Sequence, residues 1–150
     1  MVKTYSGKYT PKNKSKYVGD PTNVIYRSLW ERRVMVYLDE CPIVKKWGSE
    51  EKVIPYKSSL DGRMHKYFMD FIVLVVHPDG TRHKYLLEIK PKSQTVPPKK
   101  PKRVTKGYRV ACESYIRNMD KWSATLKYCE THNYMFKIIT EDHLKHMTIF

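Results

Sequence analysis

Two segments, Lys66–Val76 (KYFMDFIVLVV) and Arg82–Lys90 (RHKYLLEIK), decide the fold of this 150-residue chain. Both are rich in the β-branched and aromatic residues that favour strands, and the turn sequence HPDG at 77–80 joins them. The pattern predicts an antiparallel hairpin. Pro91 ends its second strand, because proline has no N–H to donate to a ladder.

Two carboxylates interrupt this apolar hairpin. Asp70 and Glu88 each have apolar neighbours on both sides, and a buried carboxylate is costly unless a partner compensates it. Because side chains alternate across a strand, Glu88 and Lys90 project to the same side. The antiparallel partner strand can bring Asp70 beside them. The sequence therefore predicts two carboxylates and one ammonium group at one spot.

This set of groups suits phosphodiester hydrolysis. Carboxylates bind Mg²⁺ and leave part of its shell for water and substrate oxygens, and a lysine can stabilise the charge that develops. We expect a metal-dependent nuclease that uses Mg²⁺, with Mn²⁺ as a substitute. A buried salt-bridge set with a purely structural role is the alternative. Glu-x-Lys alone is a common pattern: a second copy, Glu50-Glu51-Lys52, follows Gly48 and is expected to be exposed.

The rest of the chain predicts an α/β fold with a mixed sheet. A helical apolar period is found at 28–41 and again from Tyr108 to Cys129, where one seam spans six turns. One or two irregular strands are expected within 43–57, and a last strand at 134–140 before a short helix. A helix between two strands implies a crossover, so the last strand is expected to pair in parallel.

The net charge of +14 indicates an acidic polymer as partner. Residues 1–19 hold five lysines and no acid, and residues 91–110 hold seven Lys or Arg and no acid. We expect a flexible, extended basic arm at 1–19, a single nuclease domain at 20–150 and a proline-rich basic surface loop at 91–107. Solubility alone is the other explanation of the charge. The candidate DNA contacts are Lys12, Lys14, Lys16, Lys92, Lys99, Lys100, Lys102 and Arg103.

Other classes of protein fit the sequence poorly. No apolar run reaches the roughly 18 residues of a membrane span, so no membrane partner is expected. Cys41, Cys112 and Cys129 are odd in number and lack a CxxC pair, so neither a disulfide partner nor a zinc site is expected. The six histidines show no spacing typical of metal ligands.

The strand with Asp70, the turn and the strand ending Glu88-Ile89-Lys90 together resemble the PD-(D/E)xK nuclease superfamily, which has the restriction-endonuclease-like fold. Met69-Asp70 stands where that family usually has Pro-Asp. The resemblance implies a core in the order α-β-β-β-α-β. It also implies catalytic roles for Asp70, Glu88 and Lys90, with both carboxylates as metal ligands.

A third motif, Arg27-Ser28-Leu29-Trp30-Glu31-Arg32, is similar to the first core helix of the endonuclease subunit of certain bacterial cut-and-paste transposases. That similarity implies that Glu31 is a third catalytic carboxylate and metal ligand. Ser28-x-x-Glu31 is also a capping box, in which Glu31 only accepts from a backbone N–H. The residues leave both roles open.

The whole chain, and above all residues 1–33, resembles nucleases of T-even tailed bacteriophages that act in head completion. The resemblance implies work on DNA after packaging, in the host cytoplasm during assembly and at the virion head or neck, with portal or neck proteins as partners. We expect low sequence specificity, since no recognition module is evident, and favour endonuclease over exonuclease action. The alternatives are a non-catalytic DNA-binding head protein with a vestigial site, and a nuclease for RNA or branched DNA.

Overall fold

The computed structural model describes residues 5–150 of the chain. This range contains eight strands, three α-helices and two short 3-10 turns, at Lys14–Lys16 and Lys92–Gln94. In chain order the strands and helices are β1 (Gly7–Tyr9), β2 (Val24–Tyr26), α1 (Leu29–Glu40), β3 (Val44–Ser49), β4 (Val53–Lys57), β5 (Met64–Phe68), β6 (Phe71–Val76), β7 (Arg82–Ile89), α2 (Lys106–His132), β8 (Met135–Ile139) and α3 (Glu141–His146).

A four-stranded mixed sheet forms the centre, in the order β3-β6-β7-β8. Strand β6 is antiparallel to both β3 and β7, whereas β8 is parallel to β7 because α2 carries the chain back across the sheet. Along the chain the core elements come in the order α1, β3, β6, β7, α2 and β8, and the β4–β5 hairpin is inserted between β3 and β6. The predicted α-β-β-β-α-β core and the parallel last strand are therefore confirmed.

Both faces of the central sheet are covered, which explains why its strands are apolar on both sides. One face packs against α1, α3 and the N-terminal segment, and its core includes Trp47, Phe71 and Leu87. The other face packs against α2 and the β4–β5 hairpin, and its core includes Leu86 and Trp122. Successive residues of β7 thus enter different cores.

The strand predicted at Lys66–Val76 is two strands in two sheets. Strand β5 pairs with β4 in a separate hairpin, whereas β6 pairs with β3 and β7 in the central sheet. The partner changes at the break, where Met69 N donates to Lys52 O at 2.9 Å and Glu50 N donates to Asp70 O at 3.2 Å. The prediction of one strand was wrong because continuous apolar sequence does not reveal a change of partner. Asp70 therefore lies at a fork between two sheets.

The expected flexible arm is also wrong for the described part of residues 1–19, while residues 1–4 lie outside the described residues. Strand β1 pairs with β2, and Tyr9 and Tyr17 are buried in the core. Buried Asp39 accepts from Tyr9 Oη at 3.1 Å, from Lys12 N at 2.8 Å and from Asn13 N at 3.2 Å. Two buried tyrosines and one internal carboxylate fix the segment, although its composition is typical of a solvated arm.

Helix α2 confirms the long predicted helix, but its buried face differs from the predicted seam. Thr125 is fully buried, whereas Leu126 of the seam is 52% exposed. All of the buried positions of the helix lie between Asn118 and Cys129. Among residues 5–150, no helix combines the length and the apolar character that crossing a membrane requires.

Candidate active site

The register of β6 on β7 brings the two predicted carboxylates together. Phe71 pairs with Leu87, so Asp70 lies opposite Glu88 at the end of the ladder. Asp70 Oδ2 accepts a hydrogen bond from Ile89 N at 2.7 Å. Burial and the adjacent negative charge of Glu88 raise the pKa of Asp70 well above its ordinary value. The uncharged form of Asp70 is thus favoured unless a cation balances the pair.

Glu88 is buried and held from two sides. Its Oε1 lies 3.3 Å from Lys90 Nζ, and its Oε2 accepts a hydrogen bond from Tyr67 Oη at 2.5 Å. Lys90 is only partly exposed, and it lies two residues further on, directly after the end of β7. Asp70, Glu88 and Lys90 therefore converge, as the alternation of side chains along β7 predicts.

Glu31 lies at the first turn of α1 and has a capping contact. Its backbone N–H donates to Ser28 Oγ at 3.1 Å, and its Oε2 accepts from Arg27 N at 2.8 Å. Burial raises the pKa of Glu31, and the negative charges of Glu50 and Glu88 raise it further. Glu31 thus helps to cap the helix while its carboxylate lies within electrostatic range of the pair.

The donor set fits a magnesium ion held by two carboxylates better than one held by three. Within residues 5–150, no group of three His, Cys, Asp or Glu side chains is arranged to hold a metal ion. Mg²⁺ is commonly bound through one or two carboxylates, with water and substrate oxygens completing its shell. Asp70 and Glu88 have this chemistry, because burial and the charge of Glu88 destabilise the charged form of Asp70 in the absence of a cation.

Two residues at the site were not predicted from sequence. The ring of Tyr67 lies under Lys121 of α2, whose Nζ is 5.1 Å from the ring centroid. Burial lowers the pKa of Lys121, although the charges of Glu88 and Asp70 oppose this decrease. Neither residue belongs to a motif, and only the packing of α2 and β5 on the central sheet brings them to Glu88.

Glu50 was expected to lie in an exposed copy of the Glu-x-Lys pattern, but it borders the site. Its carboxylate forms a two-pronged ion pair with the Arg27 guanidinium, at 2.9 Å from Nε and 3.2 Å from Nη2. Its backbone has a φ of 55°, a left-handed conformation that is uncommon for a residue with a side chain. Such conformations cluster at functional sites, and in this chain they are found also at the ends of α2 and α3, at Asn133 and Met147.

Three of the predicted DNA-contacting lysines have partners within the chain. Lys12 Nζ lies 3.2 Å from a Glu40 oxygen. Lys16 Nζ donates to carbonyl oxygens at the end of α1, including that of Asp39 at 2.7 Å, and burial lowers its pKa. Lys92 pairs with Asp142 of α3 at 3.0 Å.

The other five predicted contacts lie on the surface. These residues are Lys14, Lys99, Lys100, Lys102 and Arg103. The loop that carries the last four runs along the N-terminal half of α2, where Val96, Pro98, Ala111 and Tyr115 help to line a cleft of about 260 Å³. The loop and this half of the helix thus form one wall.

The position of this wall follows from the topology. Because β7 and β8 are parallel and α2 joins them, α2 runs antiparallel to β7, and its N-terminal half extends beyond Glu88. Exposed Lys106 and Arg109 add to its charge. A basic surface therefore borders the carboxylate pair.

Comparisons with known proteins agree with this geometry. A family model described as TnsA-like endonuclease N terminal matches residues 41–141, a range that includes Asp70, Glu88 and Lys90 but not Glu31. The chain is 41% identical over 145 residues to the head completion nuclease of Enterobacteria phage T4, covering 94% of each protein. No solved structure matches significantly. The chain belongs to the TnsA-like endonuclease N-terminal family, with its restriction-endonuclease-like fold.

Proposed function

We propose that this chain is a Mg²⁺-dependent DNA nuclease in which Asp70, Glu88 and Lys90 form the catalytic centre. The observation that carries the proposal is the meeting of Asp70 with the Glu88–Lys90 pair at the fork between two sheets. Membership of an endonuclease family supports the reaction class. The reaction is hydrolysis of a phosphodiester bond, for which Mn²⁺ is the expected substitute metal.

The side chains have distinct tasks in this proposal. Asp70 and Glu88 hold the metal, and Lys90 presents its ammonium to the scissile phosphate. Bound Mg²⁺ supplies the positive charge that activates water and balances the transition state. Tyr67 fixes the orientation of Glu88 through its hydroxyl, and Glu31 places further negative charge beside the pair. Each of these groups is held by the fold before substrate binds, as electrostatic catalysis requires.

The DNA backbone is expected to lie along the wall formed by the basic loop and the N-terminal half of α2. Lys99, Lys100, Lys102 and Arg103 are exposed there. Phosphate contacts bind all sequences alike, and the described elements include no helix-turn-helix or zinc finger. These two features support low sequence specificity. Cleavage mapping would test it, and we expect cut sites that share no recognition sequence. We also propose endonuclease rather than exonuclease action, because the family to which the chain belongs is described as one of endonucleases.

We place this activity in phage head completion, on the likeness to the head completion nuclease of phage T4. The work would follow DNA packaging, first in the host cytoplasm and then at the virion head or neck. Portal or neck proteins are the proposed partners. Co-purification of the chain with assembled heads would test this assignment.

The test of catalysis is the cleavage of supercoiled plasmid with Mg²⁺ and with EDTA. Wild-type protein is compared with Glu88→Ala and Lys90→Ala, and Lys84→Ala on the same strand is the matched control. We expect cleavage that needs Mg²⁺, is lost in both site variants and is kept in the control, while all four proteins bind DNA. Equal binding without cleavage by the wild type would contradict the proposal.

A second candidate is a structural DNA-binding protein of the phage head or neck whose nuclease site is vestigial. The observation that favours it is that Glu88 already has partners within the chain, Lys90 Nζ at 3.3 Å and Tyr67 Oη at 2.5 Å. This candidate predicts salt-sensitive DNA binding that is unaffected by Glu88→Ala and needs no metal. Isothermal titration with Mg²⁺ separates the two, because only the nuclease binds the metal through Asp70 and Glu88.

A further inference from the structure

The β4–β5 hairpin has one buried face and one face turned to solvent. Ile54 and Tyr67 are paired and buried against α2, whereas their neighbours Val53 and Phe68 are paired and exposed. Residues directly opposite in an antiparallel pair share a face, and alternate residues along each strand share it too. The outer face consists of Val53, Pro55, Lys57, Met64, Lys66 and Phe68.

This face is both apolar and basic. Phe68 is 52% exposed, Met64 65% and Val53 37%. Lys57 and Lys66 are the only charged residues among its six positions, so the face carries positive charge alone. Exposed aromatic and aliphatic surface beside lysines is the composition of surfaces on which nucleotide bases stack while the lysines contact phosphate.

The apolar end of the face adjoins the catalytic centre. Phe68 precedes Asp70 by two residues, while its neighbour Tyr67 points to the opposite, buried face of the hairpin, where its hydroxyl holds Glu88. Two residues of even fully extended chain span at most about 7 Å. Two stacked nucleotides of one strand span about the same length. A base on Phe68 would therefore belong to a nucleotide within one or two positions of the phosphate at the Asp70–Glu88 pair.

A base inside duplex DNA is covered on both faces by its neighbours, so it can stack on a side chain only after the duplex is unstacked at an energetic cost. An aromatic surface beside a phosphodiester site therefore gains most contact where the bases are already unpaired, as in an overhang, a frayed end or a fork. The basic wall of α2 and its loop has no such requirement, since phosphate contacts are equally possible on duplex DNA.

We propose that the outer face of the β4–β5 hairpin binds unpaired nucleotides next to the scissile phosphate, with Phe68 as the stacking residue. The inference rests on the proposed function and specifies its substrate: DNA with unpaired bases at the cleavage position. Lys66 and Lys57 contact the backbone of the same strand. The hairpin thereby selects the structure of the DNA rather than its sequence.

The test uses one DNA sequence in two forms, a blunt duplex and a fork, with 2-aminopurine at the first unpaired position of the fork. Cleavage with Mg²⁺ is measured for wild type and Phe68→Ala. Binding is measured by 2-aminopurine quenching in a Glu88→Gln background, where cleavage is absent. We expect faster cleavage of the fork by the wild type, and about a tenfold loss on the fork alone in Phe68→Ala. Quenching is expected in the Glu88→Gln protein and not in the double variant.

Two further variants serve as controls. Phe68→Trp retains an aromatic surface and is expected to keep both the preference and the quenching. Met135→Ala removes an apolar side chain of similar exposure at the opposite end of the sheet and is expected to change nothing.

The outcomes separate this inference from the proposed function. Quenching that depends on Phe68 supports the inference even if the wild type cuts no substrate. Wild-type cleavage with unchanged fork preference and quenching in Phe68→Ala overturns it while the nuclease proposal stands. In that case a protein partner would become the expected ligand of the outer face of the β4–β5 hairpin.

Discussion

At the residue scale, Tyr67 and Lys90 orient Glu88 by contacting different oxygens of its carboxylate. Because the contacts are separate, one can be removed by mutation while the other is kept. Tyr67→Phe removes only the hydroxyl that donates to Glu88 Oε2. Groups that orient a metal ligand are worth roughly tenfold to a hundredfold in metal affinity or activity. We expect Tyr67→Phe to weaken Mg²⁺ binding by about tenfold, as measured by titration, with DNA affinity unchanged.

Tyr85→Phe is the control for this change, because Tyr85 lies on the same strand as Glu88 but on the opposite face of the sheet. Equal Mg²⁺ affinity in wild type and Tyr67→Phe would show that the hydroxyl does not position the metal ligand.

The raised pKa of Asp70 predicts the pH dependence of stability in EDTA. Between the ordinary pKa of aspartate and the raised pKa in the fold, the folded chain binds more protons than the unfolded chain. The free energy of unfolding therefore falls as pH rises through this window, and it levels off above the raised pKa. Asp70→Asn removes this pH-dependent contribution. The free energy of unfolding of the variant, measured by urea denaturation, should therefore exceed that of the wild type by an amount that grows with pH. A constant difference across the pH range would contradict the shift.

At the element scale, the N-terminal segment depends on a carboxylate of α1. Asp39→Ala leaves the Tyr9 hydroxyl and the N–H groups of Lys12 and Asn13 without their acceptor. Unsatisfied buried groups cost about 1–3 kcal/mol each, so we expect a loss of about 3 kcal/mol in the free energy of unfolding. Asp39→Asn retains one acceptor oxygen and should lose less. Urea denaturation would measure both, and an unchanged midpoint in Asp39→Ala would show that the segment is not anchored there.

The basic loop before α2 is expected to set the salt dependence of DNA binding. Replacing Lys99, Lys100, Lys102 and Arg103 by glutamine removes four exposed charges. Each phosphate contact contributes about 0.9 to the slope of log K against log salt, so the slope should fall by about 3–4. Fluorescence anisotropy on duplex DNA at several salt concentrations would measure it.

The control for the loop is a variant with Lys45→Gln and Lys127→Gln, two exposed lysines at the end of the sheet opposite the site. Its slope should match that of the wild type. An equal decrease per charge removed in both variants would indicate diffuse charge instead of a defined phosphate surface.

At the scale of the whole molecule, the site couples metal binding to stability because the ligands come from β7 and from the break before β6. A ligand that binds only the folded chain stabilises it by about 2.7 kcal/mol at a hundred times its dissociation constant. We expect Mg²⁺ to raise the thermal midpoint of the wild type by several degrees, roughly as that energy predicts for a domain of this size. Glu88→Gln should show no increase, and calorimetry with and without EDTA would decide.

The order of elements was predictable because local patterns specify it. Period-2 alternation, helical periodicity and the turn at 77–80 each reflect neighbours within a few residues. The same alternation placed Glu88 and Lys90 on one side, and the hairpin placed Asp70 opposite them.

Sequence patterns alone determined the α/β class and the convergence of Asp70 with Glu88 and Lys90, since both follow from short-range periodicity and pairing, and the resemblance to a nuclease superfamily implied the core order. Tertiary structure alone decided that the strand breaks at Asp70, that Tyr9 and Tyr17 pack the N-terminal segment, and that Tyr67 and Lys121 reach the site. These features depend on contacts between distant segments. The packing of one element on another fixes such contacts, and no local pattern encodes them.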